Sequence, residues 1–233
     1  FYVSGGQVRF GATGLCKYNG SWWYVSSGRV NFNATGFAKY NGYWWRVVSG
    51  KVNFSASGIY KFNGDWWYTK GGRIDMSYNG VSQYNGYWWK FKNGYIDFKY
   101  TGLGRNQYGW WYVQNGAISF AATGLVYDSN YGWWYVNGSA IDFGYTGLVY
   151  DSNYGWWYVT GGAVNFGYTG LIYDSTYGWW YVEGGAVNFG YNSLVPYGGS
   201  WWKVTGGMVD FGFTGIVNYY GTNYRVVNGQ VQF

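Results

Sequence analysis

Histidine is absent from the 233 residues, cysteine and proline occur once each, and charged residues make up only 10%. Each shortage closes a possibility. Without histidine there is no imidazole-based catalytic triad and no His-ligated metal site. A single cysteine can form neither a Cys cluster nor an internal disulfide, so Cys16 says almost nothing about compartment. One proline and no glycine at every third position exclude collagen. No stretch of about 20 residues escapes a Gly, an Asn or a charge, so no membrane-spanning helix is encoded. What is abundant points elsewhere: 18 Trp, 30 Tyr and 15 Phe give far too much aromatic mass for a disordered chain.

The net charge of +6 is unevenly spread. Residues 1–105 carry +10 and residues 106–233 carry −4. A basic half favours an anionic polymer, and drift of solvent-facing positions between repeats gives the same imbalance.

Every tryptophan lies in a Trp-Trp pair, and the nine pairs begin at 22, 44, 66, 88, 110, 133, 156, 179 and 201. Two degenerate units flank them, at Phe1-Tyr2-Val3 and Asn223-Tyr224-Arg225-Val226. A period of 22–23 residues is too short for a domain or a propeller blade. It suits a solenoid, whose units bury apolar surface only against their neighbours. The expectation is an all-β, β-hairpin solenoid of about ten repeats, forming one array over residues 1–233.

Each unit contains a hairpin signal. In Trp110–Phe120, Asn115-Gly116 separates two β-prone runs, as a two-residue type I′ turn requires. Counting outward from the turn sets Val113 opposite Ile118, Tyr112 opposite Ser119, Trp111 opposite Phe120 and Trp110 opposite Ala121. Alternation then puts Trp111, Val113, Ile118 and Phe120 on one apolar face. The second Trp of each pair is expected in the core, and the first on a mixed face, across from a small residue such as Gly144, Gly167, Gly190 or Gly212. The connector, for example Ala34–Gly42, reads as two turns around an apolar anchor filled by Leu15, Phe37, Ile59, Leu103, Leu125, Leu148, Leu171, Leu194 and Ile216. Glycine recurs too often for a helix.

Lys17-Tyr18-Asn19-Gly20-Ser21-Trp22-Trp23-Tyr24-Val25, a Gly turn and then a Thr-Gly step resemble the cell-wall-binding repeat superfamily. That group includes choline-binding repeats, glucan-binding repeats of streptococcal glucosyltransferases and the C-terminal repeats of large clostridial toxins. The sequence is most similar to Trp-rich repeats of Gram-positive clostridial surface proteins. The resemblance implies a secreted or cell-surface hairpin solenoid that binds sugars or wall polymers without catalysis. Choline-binding units typically carry Gly-Trp where this chain has Gly14-Leu15, Gly36-Phe37, Gly58-Ile59 and Gly102-Leu103. A quaternary ammonium cage needs several aromatic faces, so this departure weighs against choline and leaves a sugar platform intact.

A pyranose stacks its C–H face on an indole and offers its hydroxyls to Asn or Asp. The expected carbohydrate-binding set is therefore Trp22, Tyr24, Asn31, Trp44, Asn53, Trp66, Tyr68, Trp88, Trp110, Tyr112, Trp133, Tyr135, Trp156, Tyr158, Asn165, Trp179, Tyr181, Asn188 and Trp201, with avidity from repetition. The alternative for the same side chains is a second packed layer or a self-association surface. Asp128-Ser129-Asn130-Tyr131-Gly132, with its counterparts at Asp151 and Asp174, begins like a calcium loop but lacks the remaining ligands. An inserted turn residue explains these loops without metal. Asp75, Asp97, Asp142 and Asp210 share one repeat position, so they read as periodic surface residues rather than a glycosidase pair. No catalytic residue, cofactor, nucleic-acid partner or membrane insertion is expected. Hairpins at both ends suggest a second possibility, a head-to-tail filament or spacer, or a segment of a longer array.

Overall fold

The structure is a computed structural model describing residues 1–233, and it is built of strands and turns without a helix. Each repeat supplies three strands, except that the short strand of the Trp110 repeat is reduced to a single bridge between Gln114 and Ala117. In a complete repeat the leading strand is Gly147–Asp151, the tryptophan strand Gly155–Thr160 and the short strand Ala163–Val164. The short hairpin keeps the register counted from its Gly turn, with Val159 opposite Val164, Val47 opposite Val52 and Val136 opposite Ile141.

That hairpin is shorter than expected. Its ladder stops after two rungs plus one bond from the Asn165 N–H to the Tyr158 carbonyl, at 2.9 Å. Phe120 does not sit opposite Trp111; it turns out at φ +61° and is 49% exposed. Gly144, Gly167, Gly190 and Gly212 lie in the following turn rather than across from the first Trp.

The longer hairpin uses the connector instead. Leu148, Val149, Tyr150 and Asp151 pair with Tyr158, Trp157, Trp156 and Gly155. In Gly36–Tyr40 the glycine at one end masks an alternating five-residue strand. Asn41-Gly42, with φ of +52° and +83°, then closes it as a two-residue turn. The 23-residue steps are explained at this tip: Asp151 pairs with Gly155 across three loop residues, whereas Tyr40 pairs with Tyr43 across two.

Successive repeats cover one another, because the first-Trp face of one packs on the second-Trp face of the next, whereas the end hairpins leave Val3 and Ile216 exposed. Around Leu148, for example, Trp156 and Tyr158 of one repeat meet Ile172, Trp180, Val182 and Val187 of the following one. The fully enclosed side chains are therefore not Trp. They are the next-to-last residue of the tryptophan strand (Val136, Val159, Val182 and Val204 are all at 0% exposure), with the short-strand Val or Ile buried beside it. Burying each contributes about 1.5–3 kcal/mol. The anchor is buried at Leu15, Ile59, Leu103, Leu148, Leu171 and Leu194, half-buried at Phe37 and Leu125, and exposed at Ile216. All 18 Trp are half-buried.

Neighbouring repeats are also stapled through backbone. Gly185 accepts from the Tyr158 N–H at 2.8 Å and donates to the Tyr168 carbonyl at 3.0 Å. A Cβ on Gly185 would lie 2.7 Å from the Asn165 carbonyl oxygen, so only glycine fits the approach. The second Trp pairs with the next short strand, as Trp157 does with Ala186.

The array divides into two compact units. Unit 1 comprises residues 1–108 and 113–118, and unit 2 comprises residues 109–112 and 119–233.

Candidate functional site: aromatic cages between repeats

The long hairpin has an aromatic residue at its tip, and this residue does two jobs. Its carbonyl accepts the indole N–H of the second Trp of the same repeat: Trp134 donates to Tyr131 at 2.7 Å, Trp180 to Tyr177 at 2.7 Å and Trp67 to Phe62 at 3.0 Å. Its ring leans against the first Trp of the preceding repeat. Centroid separations are 4.4 Å for Trp22–Tyr40, 4.7 Å for Trp44–Phe62, 4.9 Å for Trp66–Tyr84 and 5.2 Å for Trp133–Tyr154. The second Trp meets the Phe of its own turn edge-on, as Trp157 does Phe166 at 5.4 Å.

These contacts assemble a cage from two consecutive repeats. Trp133, Tyr154, Trp157 and Phe166 surround a cavity of about 420 Å³, with Leu125 and Val164 at its base and Tyr127 beside Trp133. Two copies further along, Trp179, Tyr197, Trp202 and Phe211 enclose about 270 Å³ over Leu171 and Val209. No carboxylate or carboxamide lines either cavity, so the polar groups these side chains offer are tyrosine hydroxyls and indole N–H groups.

The residues expected to bind sugar separate into three places. The first tryptophans Trp22, Trp44, Trp66, Trp88, Trp110, Trp133, Trp156, Trp179 and Trp201 each touch a tip aromatic, and are half-buried walls rather than open platforms. Tyr24, Tyr68, Tyr135, Tyr158 and Tyr181 lie outside the cages in the joints between repeats, with Tyr112 half-buried at the same repeat position. There Tyr135 stacks on Tyr145 at 4.0 Å and Tyr181 on Tyr191 at 3.8 Å. The hydroxyls of Tyr145 and Tyr191 donate to the Leu148 and Leu194 carbonyls. Burial pushes the Tyr145, Tyr168 and Tyr191 phenols above their usual pKa. Asn31, Asn53 and Asn188 close their own turns: their Oδ1 atoms accept the N–H groups of Asn33, Ser55 and Gly190. Asn165 donates Nδ2 to Thr160 Oγ1 at 3.2 Å.

Missing from the expected set are the second tryptophans, the tip aromatics and the turn phenylalanines. The signal was the tip aromatic beside each Asn-Gly or Asp-Ser-Asn-Tyr-Gly, recurring in step with the Trp pairs. In the Asp loops, Asp174 Oδ1 accepts from Thr176 and Tyr177, while Oδ2 accepts the Leu148 N–H at 2.9 Å. Both carboxylate oxygens are thus engaged with backbone.

The residue directly after some Trp pairs is basic and turns inward. Lys203 Nζ donates to the Val204 carbonyl and to Thr205 Oγ1, and burial lowers its pKa against the opposing pull of Asp210. Arg46 donates to the Gly36 and Val47 carbonyls and lies over Phe37 and Tyr60.

Nine segments match the family model described as a choline-binding repeat: residues 11–31, 33–53, 55–75, 99–119, 121–142, 144–165, 167–188, 190–210 and 212–232. The chain belongs to the choline-binding repeat family. No match is found among curated proteins. Solved structures similar to this choline-binding-repeat chain include CbpJ from Streptococcus pneumoniae TIGR4, at 17% identity and TM-score 0.33, covering 95% of this chain and 88% of that one. The modular autolysin LytC from Streptococcus pneumoniae is 16% identical with TM-score 0.35, covering 94% of this chain and 48% of LytC. Alternansucrase in complex with isomaltononaose is 15% identical with TM-score 0.37, over 84% of this chain and 16% of the enzyme. The chain thus spans about half of the autolysin and a smaller part of the sucrase. No helix is long and apolar enough to cross a membrane.

Proposed function

We propose that this chain is a non-catalytic bacterial module, secreted or attached at the cell surface, that holds cell-wall polymer by its quaternary ammonium groups. The observation that carries this reading is the composition of the two-repeat cage. Trp133, Tyr154, Trp157 and Phe166 present aromatic rings to one cavity that no carboxamide or carboxylate lines. A trimethylammonium group has no N–H to donate and is attracted to ring faces, so it suits such a wall. A sugar needs placed hydrogen-bonding partners, and the Asn side chains first assigned to that role are engaged in turns. The leucine that replaces the family's usual Trp does not remove the cage, because the rings come from two adjacent repeats and Leu125 serves as the base. Weak sites repeated along one chain add avidity on a polymer.

The test is choline titration followed by intrinsic tryptophan fluorescence and calorimetry. Choline and tetramethylammonium are expected to bind at high salt, and Trp157→Ala should weaken its cage about tenfold, the loss of roughly 1.4 kcal/mol. Far-UV circular dichroism checks that the variant stays folded. Retention on dextran with no response to choline would replace this reading with the sugar platform.

A further inference from the structure

The two units build the same cage but flank it differently. In unit 2 the leading-strand residue opposite the first Trp is Tyr127, Tyr150, Tyr173 or Pro196, and the short-strand residue opposite the second Trp is Ala140, Ala163, Ala186, Met208 or Gln230, none of them charged. In unit 1 the first of these positions holds Lys17, Lys39 and Lys61, and the second holds Lys51 and Arg73. All five are exposed.

Four of the five charged ends lie over aromatic rings. Lys39 Nζ is 5.9 Å from the Trp44 ring centroid, Lys61 Nζ 5.9 Å from Trp66, Lys51 Nζ 5.8 Å from Trp23, and the Arg73 guanidinium 4.5 Å from Tyr43. A cationic ligand arriving there meets a cation already in place. The acidic residues do little to neutralise the row. Unit 1 has three, and two of them are tied into turns: Asp75 accepts from the Ser77 N–H and hydroxyl, and Asp97 from the Lys99 N–H.

We propose that unit 1 is an anion-binding surface, on which this basic row takes successive phosphates of a polyol-phosphate chain. The row places a basic leading-strand side chain in each of three successive repeats on rigid, paired strands, before Gln83 takes that position in the fourth, which matches a linear polyanion rather than a single small anion. Nucleic acid suits it less. Base stacking needs open ring faces, and those of Trp22, Trp44 and Trp66 are covered by tip aromatics at 4.4–4.9 Å. The inference stands on the basic side chains and not on choline recognition, so either can fail alone.

The experiment compares the whole chain with Lys17→Tyr/Lys39→Tyr/Lys61→Tyr, which installs the tyrosine that three unit 2 repeats carry there. A glutamine triple variant is the second form if the tyrosines disturb folding. Binding to immobilised poly(glycerol phosphate) is measured from about 20 to 300 mM NaCl, spanning Debye lengths of about 20 to 6 Å. The expected result is strong retention of the wild type at low salt, at least a tenfold loss in the triple variant, and a shallower salt dependence as phosphate contacts disappear. Choline titration of the same samples reports the cages separately. Absence of retention at low salt, unchanged retention of both variants, or tighter binding of oligo-dT of equal charge would each overturn the proposal.

Discussion

At the residue scale, the tryptophan-strand position that faces the short-strand Val or Ile tolerates little but a hydrocarbon. Val25, Val47, Phe91, Val113 and Val136 fill it in other repeats, and Thr69 fills it in one, at 0% exposure and with its hydroxyl unpartnered. A buried hydroxyl without a hydrogen bond costs about 1–3 kcal/mol. Thr69→Val keeps the branched shape and removes that cost, so the urea midpoint should rise by the equivalent of about 1 kcal/mol. A fall would show that the hydroxyl has a partner in solution. The Trp pair shows the opposite behaviour. Alternation along the strand correctly separates its two members onto opposite faces, but alternation cannot say which face is dry. In a solenoid each face is roofed by the next copy, so neither Trp is core and neither is free.

At the element scale, the two glycine turns of a repeat look alike in sequence and differ in surroundings. Gly162 has φ +81° and a Cβ there would meet the Asp142 carbonyl oxygen at 2.6 Å, whereas Gly155 has φ +85° and open space around it. Gly155→Ala should cost about 1–2 kcal/mol for left-handed backbone alone. Gly162→Ala adds a backbone collision between repeats and should cost about 3 kcal/mol or more. Equal losses in chemical denaturation would mean that the staple is loose. This difference explains what could be read beforehand. The repeat, its strand content and the short-hairpin register follow from periodicity and Asn-Gly turns, which are local. The long hairpin was hidden because Gly-Phe-Ala-Lys-Tyr opens with glycine and resembles a loop. The cage was hidden because its walls lie about one repeat apart in sequence and meet only when hairpins stack.

At the scale of the whole molecule, tyrosine sets the response to alkali. Burial raises the phenol pKa of Tyr78, Tyr145, Tyr168, Tyr181 and Tyr191. The folded state therefore keeps protons that the unfolded chain loses at about pH 10. This stabilisation is fully present below about pH 10 and is lost as pH rises through the raised folded values. Lys203 runs the other way, because its lowered pKa makes folding easier as unfolded lysine deprotonates, but it is one group against these phenols and that of Tyr219, which burial also raises. With no histidine to titrate near neutrality, urea midpoints should stay level from about pH 7 to 9 and drop steeply beyond pH 10. A midpoint that holds at pH 11 would contradict buried phenols.

Because each cage borrows its walls from two successive hairpins, the module's valency follows its copy number. Recombination that deletes one whole repeat dismantles the two cages it shares with its neighbours and joins the flanking half-cages into one, complete with its base, a net loss of one. Duplication adds one in the same way. A lineage carrying such an array can raise or lower its grip on a polymer in unit steps, without redesigning a contact.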